Sequence, residues 1–126
     1  MSTKIQDLAN NVILGGGSPP ATRTSTVTGT GVDLLNGDGR CFAIQHVGTV
    51  SGTTPTLDGK IQESDDNSSF SDITGATFTQ VTASTSMVAI TFDRTKRYVR
   101  YVGTIAGTSP SFAMSVWISE QKKTVP

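Results

Sequence analysis

Few residues in this chain could do chemistry, and their spacing limits what they can do. His46 is the only histidine and Cys41 the only cysteine. A thiolate and an imidazole form a nucleophile–base pair when hydrogen-bonded. Along one strand, however, positions 41 and 46 fall on opposite faces. With one residue of each type, a Cys/His zinc cluster is excluded by count. A Ser-His-Asp triad is assembled from distant positions, so spacing does not test it. No Gly-x-Ser-x-Gly elbow accompanies His46, which reads as a structural or surface residue. The run Glu63, Asp65, Asp66, Asn67 offers the oxygen donors calcium takes, without the glycine and distal Glu of an EF-hand loop. Asp-Asn-Ser-Ser is what a solvated hairpin turn looks like, and that reading is preferred to calcium. Glu63 and Asp72 are the default pair for two-carboxylate glycoside chemistry, whose separation a sequence does not give.

Arg94, Lys96, Arg97 and Arg100, interleaved with Tyr98 and Tyr101, make the one basic cluster. Cations beside aromatics bind single-stranded nucleic acid on OB-type sheets. The chain carries 10 basic and 10 acidic residues, though, and lacks the positive footprint of a nucleic-acid binder. Stacking of Arg100 with Tyr98 and a charged sheet edge are the competing readings.

Elements must position these groups. The chain has 126 residues, enough for one domain. Ser and Thr together supply 34 of them, beside 13 Gly. Thr and Val favour strands, and Gly, Asn, Asp and Ser favour the turns between them. Eight or nine short strands are predicted from residue 22 onward, with no room for crossover helices. The fold class expected is all-β: an antiparallel β-sandwich, jelly-roll-like, at 22–126. Residues 1–21 are expected to form a flexible N-terminal arm, because "GGGSPP" is foreign to a sheet interior. Within it Ile5, Leu8 and Val12 follow helical spacing, an apolar stripe able to dock on a neighbouring subunit. No apolar run approaches the ~20 residues of a membrane helix. No secretory leader is read at the N-terminus, and a lone cysteine needs no oxidising compartment. The expectation is a soluble protein made in the cytosol.

The chain repeats itself. "VGTVSGTTPTL" from Val47 returns as "VGTIAGTSPSF" from Val102, an offset of 55 with six identities in eleven positions. The offset also places Ile44 on Val99 and Ile61 on Val116. The unit reads as a β-hairpin used twice, with Gly-Thr-x-Pro as its loop. That loop lacks the Gly-Lys-Ser/Thr ending of a phosphate loop. Parity puts Phe112, Met114, Val116 and Ile118 on a core face with Leu57, Gly59 and Ile61. It sends Ala113, Ser115 and Trp117, the only tryptophan, to the other face. An outward Trp suits an interface.

The stretches "IQESDDNSSFSDITGATFT" and "RYVRYVGTIAGTSPSFAMSVWIS" resemble a family of small tailed-phage and prophage capsid decoration, or cement, proteins. In that family Gln-Glu-Ser-Asp-Asp leads through a short turn to Phe-x-Asp, and a later strand reads Arg-Tyr-Val-Arg. The resemblance covers residues 40–119 and does not extend to 1–21. It implies a structural virion protein that decorates and stabilises a phage capsid by bridging capsomers of the major capsid protein. It further implies a homo-oligomer, dimer or trimer, on the outer capsid surface, assembled in the host cytoplasm. Such a protein is not an enzyme and needs no cofactor or metal; neither a membrane nor nucleic acid is an expected partner. Contact candidates are Ile5, Leu8, Val12, Tyr98, Arg100 and Trp117. The alternative is a carbohydrate-binding β-sandwich of a phage fibre or adhesin, stacking sugars on Trp117 and Tyr101.

Overall fold

The chain folds as one continuous antiparallel sheet, seen in a computed structural model that describes residues 12–123. Its strands are β1 (Val12–Arg23), β2 (Val27–Thr28), β3 (Val32–Asp33), β4 (Gly37–Ser64), β5 (Ser71–Thr77), β6 (Ser86–Phe92) and β7 (Tyr98–Lys122). No helix occurs among the described residues. The spatial order is β1-β7-β4-β5, with β2 and β3 on β7 and β6 on β4.

The strands number seven, against the eight or nine predicted, because the Gly-Thr-x-Pro segments do not turn the chain. β4 and β7, of 28 and 25 residues, run straight through them and pair with each other along their whole length. The hairpin reading of the repeat is therefore corrected: the partner of each copy is the other copy. Thr53 pairs with Thr108 at the crossing, and the pairs on either side exchange under the 55-residue offset. Leu57 with Ile105 becomes Val50 with Phe112, and Thr56 with Ala106 becomes Ser51 with Ser111. A local two-fold axis thus passes through the Thr53–Thr108 pair.

Backbone geometry repeats as well. Gly52 and Gly107 have φ of 109° and 121°, and Thr54 and Ser109 both have φ of 48°. A Cβ on Gly52 would lie 2.5 Å from the Ser109 carbonyl oxygen, and one on Gly107 would lie 2.7 Å from that of Thr54. Glycine is required here by both conformation and close approach.

The duplication extends to the whole fold. Strands β1 to β4 form one unit, and β5 to β7 form the other. β1, β2 and β3 all pair β7, and β5 and β6 both pair β4. Every short strand therefore pairs the long strand of the opposite unit, and the two units are intertwined.

The inward faces of both halves of the sheet build one core. Leu57, Ile61, Phe112 and Ile118 are fully buried and Met114 and Val116 nearly so, on the face that alternation predicts. Tyr101, from one half, donates its hydroxyl to Gln45 Oε1 of the other at 2.5 Å. Its ring lies beside the paired Gly59 and Gly103, where a Cβ on either would be 2.7 Å from its hydroxyl. Phe78 meets it edge-on at 5.8 Å. Burial pushes the Tyr101 pKa upward, so the hydroxyl remains a donor.

Two expectations change at the sheet margins. Residues 12–21, assigned by sequence to the arm, are strand β1, from Val12 opposite Gln121 to Ala21 opposite Met114. Pro19 and Pro20 are accommodated because β1 is the outermost strand, with register shifts between Gly16 and Ser18 and between Ser18 and Ala21. Val12 is accordingly extended rather than helical. Ile5 and Leu8, with the rest of residues 1–11, lie outside the described residues.

Candidate functional site

The surface that stands out is the outward face of one half-sheet, where β6, residues 41–47 of β4, residues 113–121 of β7 and β1 lie side by side. Ladder partners share a face, so the rows can be read across it. Ala89, Ile44, Trp117 and Gly16 form one row; Thr91, Phe42, Ser119 and Leu14 form the next; Met87, His46 and Ser115 flank them. Trp117 is 48% exposed, Leu14 62% and Met87 66%. Three of the four large exposed hydrophobic side chains among the described residues are therefore on this face. The fourth, Leu35, sits in the turn before β4. Gly16 offers no side chain beside Trp117, so the indole is open on its β1 flank. A shallow recess of about 360 Å³ lies further along the same strands, lined by Pro20, Thr22, His46, Gly48, Ala113 and Ser115.

The outward face of the other half differs in kind. A shift between Val47 and Val50 moves the register by one residue. The row Ile44–Trp117 therefore corresponds to Arg100–Gln62, and Ile44 faces outward although the simple offset aligns it with buried Val99. Arg100 Nε donates to Gln62 Oε1 at 2.9 Å, Gln62 Nε2 donates to Asp72 Oδ1 at 2.8 Å, and Lys60 Nζ reaches Asp72 Oδ2 at 3.1 Å. These polar groups are spent on one another.

The predicted site residues therefore separate. Val12 and Trp117 share the apolar side. Tyr98 and Arg100 belong to the polar half and are half-buried. Arg100 does not stack on Tyr98: its guanidinium lies 4.1 Å from the Phe70 ring centre, while Arg97 sits over Tyr98 at 5.0 Å. Arg97 also holds Asp33 through two bonds of 2.8 and 2.7 Å, which keep the Asp33 carboxyl down at about 2.

Sequence reasoning missed the buried polar centre. Glu120 continues the inward register of 112, 114, 116 and 118, and that placement alone demands a cation. The cation is Arg94, whose Nε lies 3.0 and 3.1 Å from the two carboxylate oxygens. Cys41 donates its thiol to Glu120 Oε2 at 3.2 Å, and burial, then the carboxylate, push its pKa up to about 12. A thiol so held is a weak nucleophile, and His46 lies on the opposite face of β4. Asp66 accepts the amides of Ser68 and Ser69 and the hydroxyl of Ser64, so its carboxyl is used by the turn and held at about 2. Among the described residues no cluster of three or more His, Cys, Asp or Glu is placed to hold a metal. Among the described residues no helix is long and apolar enough to cross a membrane.

No protein-family model matches this chain, and neither does any curated protein.

Proposed function

We propose that the protein is a non-enzymatic structural module that docks through its Trp117 face. Taken with the resemblance to cement proteins, the partner is the major capsid protein of a tailed phage. The module would decorate the outer shell as a homo-oligomer and bridge neighbouring capsomers. The observation that carries this reading is the contrast between the two outward faces. One spends its polar side chains internally, and the other leaves Trp117, Leu14 and Met87 uncovered. Such a patch marks an association surface on a small protein, and Trp is the residue most enriched where binding energy concentrates. Many modest contacts repeated over a shell would add by avidity. In this reading the sheet, whose two halves meet at the Tyr101–Gln45 bond, serves as a β-sandwich of jelly-roll type. Arg94 and Arg97 are tied to Glu120 and Asp33, which disfavours a nucleic-acid partner. The carbohydrate reading is left with Trp117 as its one platform, since Tyr101 is buried.

Co-sedimentation with purified shells of the major capsid protein encoded in the same genome tests the proposal. Trp117→Ala should weaken binding by about 30-fold, the effect of a hot-spot residue worth ~2 kcal/mol. Its melting temperature should stay near that of the parent, because the indole is half exposed. Equal binding by parent and variant, or no binding by the parent, would sink the proposal. Sedimentation velocity tests the homo-oligomer separately.

A further inference from the structure

Arg23 ends β1 with a guanidinium whose partners are incomplete. Its Nη2 donates to Ser18 Oγ at 3.2 Å and to the Pro19 carbonyl at 3.4 Å. Its Nε is buried without a hydrogen-bond partner. The chain has four other arginines, and each gives its Nε an oxygen. Arg40 has Asp93 at 3.3 Å, Arg94 has Glu120 at 3.0 Å, Arg97 has Asp33 at 2.8 Å and Arg100 has Gln62 at 2.9 Å. Among the described residues no carboxylate pairs with Arg23. A buried donor on a cation is costly to leave unpaired, and no described residue supplies its acceptor.

A recess of about 380 Å³ opens beside this guanidinium at the β1–β2 turn. Its wall is hydroxylic: Thr22, Thr24, Ser25, Thr26, Thr28 and Thr30 all line it. A hydroxyl both donates and accepts, which suits a partner rich in hydroxyls. The planar edge of Arg suits a carboxylate better than a point charge would. The volume falls within the range of ordinary small-molecule sites, about 300–1,000 Å³. We propose that this recess binds a carboxylated sugar, with its carboxylate on Arg23 and its hydroxyls against the Thr wall. Arg23 lies on the order of 20 Å along β1 from Gly16, the neighbour of Trp117, and the recess shares only Thr22 with the one lined by His46 and Ala113.

The test is a titration followed by ¹⁵N NMR, including the Arg side-chain Nε–H signals. The probes are glucuronate, glucose and acetate at matched ionic strength. Glucuronate should move the Arg23 Nε–H and the amides of Thr26, Thr28 and Gly29 saturably, with a Kd on the order of 1 mM. Acetate should bind at least about fivefold more weakly, and glucose should give no saturable shift. Arg23→Gln should weaken glucuronate by about tenfold or more, and Arg23→Lys should not restore it, because the planar edge is lost. Thr26→Val, at an exposed position, should weaken binding without lowering the melting temperature, and it decides the matter if Arg23→Gln is unstable. No saturable shift, acetate binding as tightly as glucuronate, or undiminished binding by the folded variants overturns the proposal.

Discussion

Replacing Arg94 by Met should destabilise the fold more than any surface change, and the structure says by how much. Arg94 is 16% exposed and Glu120 only 1%. Beyond the carboxylate, Arg94 donates to three carbonyls: Leu34 at 2.6 Å, Gly37 at 3.2 Å and Lys96 at 3.0 Å. It thereby joins the turn before β4 to the turn before β7. Met fills much of the volume but leaves Glu120 buried with the Cys41 thiol as its remaining side-chain donor. Breaking a buried pair in this way costs about 3–5 kcal/mol, out of a total stability of about 5–15 kcal/mol. With a urea slope of about 1–3 kcal/mol per molar, the unfolding midpoint should fall by about 2 M. Equilibrium unfolding followed by Trp117 fluorescence and by circular dichroism measures it. The double change Arg94→Met with Glu120→Leu removes both charges and should recover at least half of the loss, since apolar replacement of a whole pair is often neutral. A single variant that loses less than about 1 kcal/mol, or a double variant no better than the single, would refute the reasoning.

Gly59→Ala should cost about 1–3 kcal/mol, as overpacking does, because its Cβ would meet both Tyr101 and Gln45; an unchanged near-ultraviolet spectrum and melting curve would contradict this. Asp33 and Asp66 are both held at about 2, and Asp72 is lowered by its bonds from Gln62 and Lys60. All three are more acidic folded than unfolded, so their contribution is present above the unfolded value of about 3.9 and lost as pH falls through the folded values. The melting temperature should be flat from about pH 7 to 5 and decline between about 4 and 2. Salt should shrink the parts due to Asp33 and Asp72, whose partners include cations, more than that of Asp66; a melting temperature that rises on acidification would be the wrong sign. A chain cut within residues 65–70 should remain one folded particle on gel filtration, since every short strand pairs across the cut. A half that folds alone as a monomer would contradict the intertwined pairing.

Alternation carried much of the fold into view before any coordinates. It placed Phe112, Met114, Val116 and Ile118 inward, turned Trp117 outward and separated Cys41 from His46. It failed where one residue changes the count: the shift between Val47 and Val50 reverses the facing of Ile44, and nothing local in "VGTV" announces it. The Gly-Thr-x-Pro segments misled for another reason. Gly and Pro mark turns when pairing is local, but here the partner is some 55 residues away and the same residues serve a strand crossing. Thr54, Pro55 and Pro110 fall outside the ladder, so proline loses no bond there. "GGGSPP" reads as part of a flexible arm because composition does not distinguish an edge strand from a linker. Of the site, Trp117 was legible through parity. The Arg23 recess was not, because an unpaired guanidinium is a property of its surroundings rather than of the sequence.

The duplication gives that contrast its weight. Two copies of one unit are related here by a local two-fold axis, so the difference between their outward faces lies in the side chains each half carries and not in the backbone plan. Gln62 stands where Trp117 stands, and Arg100 where Ile44 stands. In the polar half the exchanged positions satisfy one another through Asp72 and Lys60, which lets that face meet water without aggregation. In the other half the same positions are apolar and uncovered, which in water is a liability unless something covers them. Packing of the core does not require the difference, because Trp117 and Gln62 both project away from it. A fold with two equivalent faces would bind two equivalent partners or none; this one presents a single apolar face, and the docking proposed here is correspondingly one-sided.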